Sequence, residues 1–359
     1  MKNKALSRTY DFIVVGGGLA GLSCAYWLKK HHPKATILIL NDSKIIQSTS
    51  SSKIPDLTVG SLAYMYDLYQ THGIEMVVDL FKEFDKNIDL MNKELNVIDR
   101  NPYLNVFSGG TVNHFDSDSV KDNGSFESFI HQLKKSHVKL EKVESENLKL
   151  GVKFSHDGNY ESDGMMKTLY KKLTTQIDIV ENESCKLLSK LMDDIRVKTV
   201  IGSEYLGKNV ILTAGASLGK FIPEVKEKIK VKKSFVMRVE SPKNHLDLFN
   251  YSSASDNDYF VKLKDGYFFA HHDDFRAEDD AQIDERRTIL NFEKFKAKNF
   301  PTGEFSEINE ASITYSTDGV PLMGRSLRNN SLYYLGGFSG QSKLSAFKVA
   351  KELVEMIKL

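Results

Sequence analysis

The sequence is poor in the residues that build disulfide scaffolds, zinc sites and proline hinges. Its 359 residues include only 2 cysteines, Cys24 and Cys185, and 7 prolines scattered along the chain. Two isolated cysteines without a CxxC spacing argue against a disulfide framework or a zinc site, and we expect no bound metal. Because no proline-rich stretch marks a hinge, the domain boundaries have to come from the motifs.

The chain also lacks an excess of either charge and any long hydrophobic run. Its 49 Lys and Arg nearly balance 48 Asp and Glu, which argues against a nucleic-acid partner. The apolar run nearest the N-terminus is too short and too glycine-rich to span a bilayer, and no signal-peptide cleavage pattern follows it. We therefore expect a cytoplasmic protein with no membrane attachment. A hydrophobic content of 41% allows a large core, and more than one domain is expected at this length.

A glycine turn between two stiff segments dominates the N-terminal region. Residues 11–30, DFIVVGGGLAGLSCAYWLKK, predict a short buried strand, a glycine turn and a helix, and a second apolar run follows at 36–40. In this context Gly16, Gly18 and Gly21 match the GxGxxG pattern of dinucleotide-binding proteins. The first glycine permits the tight turn, the second lets a pyrophosphate approach the backbone, and the third lets the helix pack on the strand.

The ligand contacts of such a turn extend to its helix and to the end of the second strand. Leu19 and Ala20 begin the predicted helix, whose unpaired N–H groups and partial positive charge favour a phosphate. The carboxylate that usually binds a ribose after the second strand is replaced by Asn41. An asparagine binds the ribose hydroxyl more weakly, and Asp42 takes over this role if the strand ends one residue later.

Two later segments complete the predicted nucleotide domain. Residues 208–216, KNVILTAGA, predict a buried strand that ends at Ala214 and Gly215, where the backbone can again approach a ligand. The C-terminal part, from Ser331 onward, contains the strand LYYL, the turn GGFSG and a helix. This second strand–turn–helix unit can direct another helix N-terminus at a bound ligand.

Taken in order, these three segments resemble the FAD-dependent superfamily of D-amino acid oxidase, sarcosine oxidase and glycine oxidase. The resemblance rests on the N-terminal glycine motif, on NVILTAGASLGKFIP and on TDGVPLMGRS followed by LYYLGGFSGQS. It implies a mixed α/β fold, in which a Rossmann-like FAD-binding domain carries an inserted substrate domain with an antiparallel sheet. The FAD domain would comprise 1–80, 155–225 and 310–359, and the substrate domain 81–154 and 226–309.

The motifs and the resemblance together imply a set of cofactor-binding residues. These are Gly16, Gly18, Leu19, Ala20, Gly21, Asn41, Asp42, Ser48, Thr49, Ser50, Ala214, Gly215, Gly337, Phe338, Ser339, Gly340, Gln341 and Ser342. Monomeric sarcosine oxidase attaches FAD through a cysteine, and the matching position here is Ala311. We therefore expect FAD to be bound non-covalently.

Candidates for catalysis are fewer. His271 and His272 follow the strand YFFA, which in the family runs over the flavin. Either is a candidate proton acceptor or a group that sets the flavin electrostatics, and the alternative is an ordinary pair of histidines at a strand end. Lys343 is a candidate clamp for a substrate carboxylate, or else a solvent-facing lysine. The family often places an arginine or tyrosine five residues before the Asp of the DGxP turn, and Ile313 occupies that position here, which suggests an unusual substrate.

Three functions remain open on this evidence. The favoured one is oxidation of a C–N bond in an amino acid or secondary amine, with hydride passing to flavin N5 and oxygen or another acceptor reoxidising the flavin. The second is a 2-hydroxy-acid dehydrogenase, which needs a base such as His271 or His272. The third is a flavin-binding sensor or subunit that depends on a partner chain for turnover. A tRNA-modifying relative exists in the superfamily, but the net charge of +1 argues against that role.

Overall fold

The computed structural model covers most of the two sheets and the helices that enclose them. It describes residues 8–45, 56–57, 62–95, 107–108, 111–114, 123–145, 148–154, 158–159, 162–240, 251–252, 258–262, 267–272, 289–290, 293–294, 297 and 304–357. The predicted cofactor contacts Ser48, Thr49 and Ser50 lie outside these described residues.

The secondary structure alternates strands and helices at both ends of the chain. The strands are β1 Thr9–Val15, β2 Ile37–Leu40, β3 Asp56–Leu57, β4 Phe107–Ser108, β5 Thr111–His114, β6 Leu140–Ser145, β7 Leu148–Phe154, β8 Gly158–Asn159, β9 Asp178–Val180, β10 Cys185–Leu191, β11 Asp194–Thr199, β12 Glu204–Leu212, β13 Ile229–Glu240, β14 Tyr251–Ser252, β15 Asp258–Lys262, β16 Tyr267–His272, β17 Glu304–Ser316, β18 Leu322–Arg325 and β19 Leu332–Gly336. The helices are α1 Leu19–His31, α2 Leu62–His72, α3 Ile74–Leu95, α4 Asn123–Lys135, α5 Ser162–Leu173, α6 Leu218–Phe221, α7 Pro223–Lys226 and α8 Ser342–Glu355. A 3₁₀ turn at Gly215–Ser217 precedes α6.

The larger sheet has a parallel centre. Its strands β9, β2, β1, β12 and β19 lie side by side and run parallel to one another. β18 pairs antiparallel with β19, and β10 and β11 continue the N-terminal half of β12 as an antiparallel meander. The carboxyl ends of β1, β12 and β19 therefore meet at one edge, where parallel sheets bind ligands.

Helices cover both faces of this sheet, which explains why its central strands are apolar throughout. Along β1, Phe12 and Val14 join one hydrophobic cluster, whereas Ile13 and Val15 join the other. The first cluster packs against α1, α3, α5 and α8, and the second against α6 and α7. A strand buried on both faces has no polar side, so its sequence shows a continuous apolar run instead of an alternation.

The second sheet is antiparallel, in the order β14–β15–β16–β13–β17. Its longest pairing joins β13 to β17, from Ile229 opposite Ser316 to Glu240 opposite Glu304. A bridge between Tyr315 and Phe338 connects the end of β17 to the glycine turn after β19. Two three-stranded sheets, β3–β8–β4 and β5–β7–β6, complete the strand pairing in the described residues. The mixed α/β fold with an antiparallel sheet is thus confirmed, whereas the exact domain boundaries stay predictions.

Two findings on the described part of the chain concern membranes and metals. No helix there combines the length and the apolar composition needed to cross a bilayer. The described side chains also form no group of three or more His, Cys, Asp or Glu able to hold a metal ion.

Candidate functional site: a glycine-lined sheet edge

The first glycine turn closes on the end of β12. Gly16 has φ of +105°, and a Cβ at this position would lie 2.4 Å from the carbonyl oxygen of Thr213. The Thr213 hydroxyl donates a hydrogen bond of 2.7 Å to the Gly16 carbonyl, and the Gly16 N–H donates one of 2.8 Å to the Leu40 carbonyl. Only glycine combines this backbone conformation with this approach. Thr213, which lies about 200 residues away in sequence, is a contributor that the motif alone does not reveal.

The third glycine of the motif brings α1 against the turn. A Cβ on Gly21 would lie 1.8 Å from the Gly16 carbonyl oxygen and 2.8 Å from the Thr213 hydroxyl. Both atoms belong to the turn that leads into the helix, so even an alanine here would force the helix away from it. This close approach supports the expected role of Gly21 in packing the helix against the turn.

Two long helices begin at this edge without a side-chain cap. Gly18 precedes α1 and Gln341 precedes α8, and neither helix has a side-chain hydrogen bond at its N-cap or an acidic residue in its first turn. The first N–H groups of a helix have no partner within the helix. The helix ends at Leu19 and Ala20 and at Ser342 are therefore suited to an anionic ligand.

Asn41 supports the turn from inside. It follows the last residue of β2 and is 5% exposed. Its Oδ1 accepts a hydrogen bond of 2.7 Å from the Gly17 N–H, and its Nδ2 donates one of 2.8 Å to the Ser43 carbonyl. The amide is therefore engaged by the protein on both sides. The neighbouring Asp42 is exposed and accepts a hydrogen bond from the Ser43 hydroxyl at 3.1 Å, which makes its carboxylate the better candidate for a ribose.

The segment after β12 is a second place where a ligand can approach the backbone. The Thr213 N–H donates to the Val15 carbonyl at 2.8 Å, so the ends of β12 and β1 are adjacent. Ala214 leads into Gly215, which has φ of +52°. No described atom lies within 4 Å of a Cβ built on Gly215. This backbone therefore faces open space at the carboxyl edge of the sheet.

The turn from Gly337 to Ser342 contains three residues with positive φ. Gly337, Ser339 and Gly340 have φ of +66°, +52° and +82°. A non-glycine residue in this region carries strain, and Ser339 is held there by hydrogen bonds. Its N–H donates to the Thr314 carbonyl at 2.9 Å, and its hydroxyl accepts from the Ser316 N–H at 3.3 Å. Phe338 and Ser339 are buried, whereas Gly340 is exposed.

The predicted catalytic residues are not all brought to this turn. Lys343 is the second residue of α8 and half-buried, directly after the turn. His271 and His272 end β16, and His272 lies opposite Ser234, which in turn lies opposite Ala311 of β17. The histidines are thus two strands, about 10 Å, across the sheet from β17. The bridge at Tyr315 lies four residues further along, about 13 Å.

Comparison with known proteins identifies the family. A family model described as DAO, FAD dependent oxidoreductase, matches residues 11–356. The chain belongs to this family of FAD-dependent oxidoreductases. Glycine turns at the carboxyl edge, two uncapped helix N-termini and the open backbone at Gly215 and Gly340 fit the FAD that the family uses.

Solved structures share the family fold over nearly the whole chain. Glycine oxidase from Bacillus cereus has a TM-score of 0.75 at 14% identity, covering 97% of this chain and 94% of that one. NikD, an unusual amino acid oxidase of nikkomycin biosynthesis, has a TM-score of 0.76 at 14% identity, covering 98% and 95%. L-Proline dehydrogenase from P. horikoshii has a TM-score of 0.72 at 15% identity, covering 98% and 94%. At such low identity the likeness establishes the fold alone.

A curated relative matches a shorter part of the chain. Pyridine nucleotide-disulfide oxidoreductase domain-containing protein 1 of Drosophila melanogaster is 29% identical over 116 residues. The match covers 31% of this chain and 24% of that protein, about a quarter of its length.

Proposed function

We propose that this family member oxidises the C–N bond of an amino acid or a secondary amine, with FAD bound non-covalently. When bound, FAD supplies the hydride acceptor for the substrate carbon. The names of the structural neighbours support the substrate class, since they include a glycine oxidase, a proline dehydrogenase and an amino acid oxidase. The proposal goes beyond the family membership, which leaves the substrate open.

The observation that carries the cofactor part of the proposal is the pair of uncapped helices that begin at one sheet edge. At α1, the N–H groups of Leu19 and Ala20 are suited to a pyrophosphate, and Asp42 to a ribose hydroxyl. At α8, the backbone from Gly337 to Ser342 is suited to the negative charge that develops on a reduced flavin ring. FAD carries both groups, the pyrophosphate and the flavin ring, so one bound molecule would use both helix ends.

The positions of the cysteines support non-covalent binding. Cys24 is completely buried in the core face of α1, and burial raises the pKa of its thiol far above the ordinary value. Cys185 begins β10, which is separated from β1 by two further strands, and burial raises its thiol pKa to about 11. A neutral thiol is a poor nucleophile. Ala311, the position that carries the attachment cysteine in sarcosine oxidase, has no nucleophilic atom.

The test starts with the absorbance spectrum of the purified protein, before and after addition of FAD. Anaerobic mixing with D- and L-amino acids, N-methyl amino acids and 2-hydroxy acids then follows the flavin band. We expect amino or N-methyl amino acids to bleach the band and air to restore it if oxygen is the acceptor. After acid precipitation, the flavin should appear in the supernatant.

A Gly21→Ala variant provides the control, because its new methyl group would collide with the Gly16 carbonyl. This variant should purify without flavin. Bleaching by 2-hydroxy acids alone would assign the reaction to C–OH oxidation. A wild-type protein that neither contains flavin nor takes it up would contradict the proposed function altogether.

A further inference from the structure

A carboxylate next to β9 holds the segment that follows β2. Glu181 comes directly after the last residue of β9 and is half-buried. Its Oε1 accepts a hydrogen bond of 2.8 Å from the Ile45 N–H, although 136 positions separate the two residues in the sequence. A hydrogen bond from a backbone N–H to a carboxylate is stronger than one between neutral groups. Glu181 therefore ties the far end of the segment 42–45 to the neighbouring strand.

The backbone that carries Glu181 is itself fixed on both sides. The Asn41 N–H donates to the Val180 carbonyl at 2.9 Å, and the Glu183 N–H donates to the Asn41 carbonyl at 2.9 Å. Between these two hydrogen bonds, Asn182 has φ of +60°, a conformation that asparagine adopts more readily than most residues. The contact from Glu181 to the segment thus starts from a backbone that the sheet holds in place.

The segment itself presents an exposed carboxylate between anchored residues. At one end, the Asn41 Nδ2 donates to the Ser43 carbonyl at 2.8 Å. At the other end, Ile45 is completely buried, and its Cγ1 would lie 2.5 Å from a Cβ built on Gly17. Asp42 lies between these anchors, its side chain is exposed, and its Oδ1 accepts from the Ser43 hydroxyl at 3.1 Å. The backbone at Asp42 is therefore attached on both sides, while its carboxylate faces solvent.

We propose that Glu181 is a positioning residue for the cofactor: by holding Ile45, it fixes the backbone that presents the Asp42 carboxylate to the ribose of FAD. The inference rests on the function proposed above, in which FAD is bound and Asp42 contacts the ribose. A binding group that is already held in place loses less conformational entropy when the ligand arrives. Glu181 thus raises the affinity for FAD through Asp42.

This indirect action sets a limit that distinguishes positioning from a general effect on the fold. Because Glu181 acts through Asp42, its removal costs no more affinity than removal of the Asp42 carboxylate does. Once that carboxylate is gone, the loss of Glu181 has no further effect. A residue that merely stabilises the fold instead lowers the affinity for FAD by the same factor whether or not Asp42 is present.

The experiment is a double-mutant cycle of Glu181→Ala and Asp42→Asn, made in the full-length protein stripped of flavin and titrated with FAD by flavin fluorescence. We expect Glu181→Ala to raise the Kd for FAD by about 10-fold, the lower end of what a hydrogen bond to a charged group contributes. In the Asp42→Asn background the same change should raise the Kd by less than about 2-fold. Glu181→Gln keeps an oxygen that accepts from the Ile45 N–H and should recover most of the affinity.

Glu183→Ala is the matched control, because this half-buried glutamate lies two positions further on and contacts the Ser203 and Tyr205 hydroxyls at 3.3 Å instead. It should bind FAD as the wild type does. Wild-type affinity in Glu181→Ala, an equal loss in both backgrounds or no recovery in Glu181→Gln overturns the role of Glu181 and leaves the proposed function standing. A wild-type protein that takes up no flavin overturns both proposals.

Discussion

At the scale of single residues, Asn41 supports the glycine turn, and we propose Asp42 as the residue that binds the ribose. The Asn41 amide stabilises the turn through Gly17 and Ser43, whereas the Asp42 side chain is exposed. We predict that Asn41→Ala lowers the stability of the apoprotein by about 1–3 kcal/mol, because it leaves the Gly17 N–H unsatisfied. Asp42→Asn should weaken FAD binding and leave the apoprotein as stable as the wild type.

Thermal unfolding of the apoproteins and FAD titration by flavin fluorescence measure the two effects separately. If the Asp42→Asn protein binds FAD as the wild type does, a residue other than Asp42 binds the ribose. The absence of a carboxylate at Asn41 is evident from the sequence, but its hydrogen bonds are not. They depend on how the Gly17 peptide is oriented in the turn, and the glycine pattern alone does not determine that orientation.

At the scale of elements, α8 is fastened to its neighbours by side chains that reach its backbone. Asn87 of α3 is completely buried; its Oδ1 accepts from the Lys348 N–H at 2.8 Å and its Nδ2 donates to the Lys343 carbonyl at 3.3 Å. Trp27 of α1 donates its indole N–H to the Phe347 carbonyl at 2.9 Å. Lys348 also forms ion pairs with Glu83 and Glu352. These contacts fix the position of the helix that begins at the second turn.

We therefore expect Asn87→Ala to destabilise the protein by about 1–3 kcal/mol, since it leaves two backbone groups of α8 without their buried partner. Urea unfolding followed by circular dichroism measures this loss. Asn92→Ala, a change of the same residue type on the same helix at a half-buried position, should alter stability by less than about 0.5 kcal/mol. An equal loss in the free energy of unfolding for the two variants would show that the hydrogen bonds of the buried Asn87 amide do not stabilise the protein.

Elements that are marked by local sequence patterns can be predicted, whereas features that depend on tertiary contacts cannot. The strands β1, β2, β12 and β19 and the helices α1 and α8 are predictable, because apolar runs and glycine turns mark them locally. The strand pairing that places His272 two strands from β17 is not predictable from the sequence, since strand register depends on contacts between distant segments. The role of Asn87 is equally hidden, because a buried asparagine on an amphipathic helix has no distinguishing sequence pattern.

At the scale of the whole molecule, the parallel sheet collects segments from both ends of the chain at one ligand edge. β1, β12 and β19 are neighbours although about 200 and 120 residues separate them along the chain. A ligand that spans this edge binds only the folded arrangement, so it stabilises the protein by mass action. A dinucleotide reaches both glycine turns, whereas a mononucleotide flavin lacks the adenosine half that Asp42 and the first turn are proposed to hold.

Because of this difference, we predict that FAD stabilises the protein more than FMN does. FAD at one hundred times its Kd should stabilise the protein by about 2.7 kcal/mol, and FMN at the same concentration should stabilise it much less. Thermal unfolding with each flavin measures the difference. Asp42→Asn should narrow the gap, because it removes a contact that only FAD can make. If FMN stabilises the wild type as well as FAD does, the first glycine turn does not bind the pyrophosphate, and its close packing serves the fold alone.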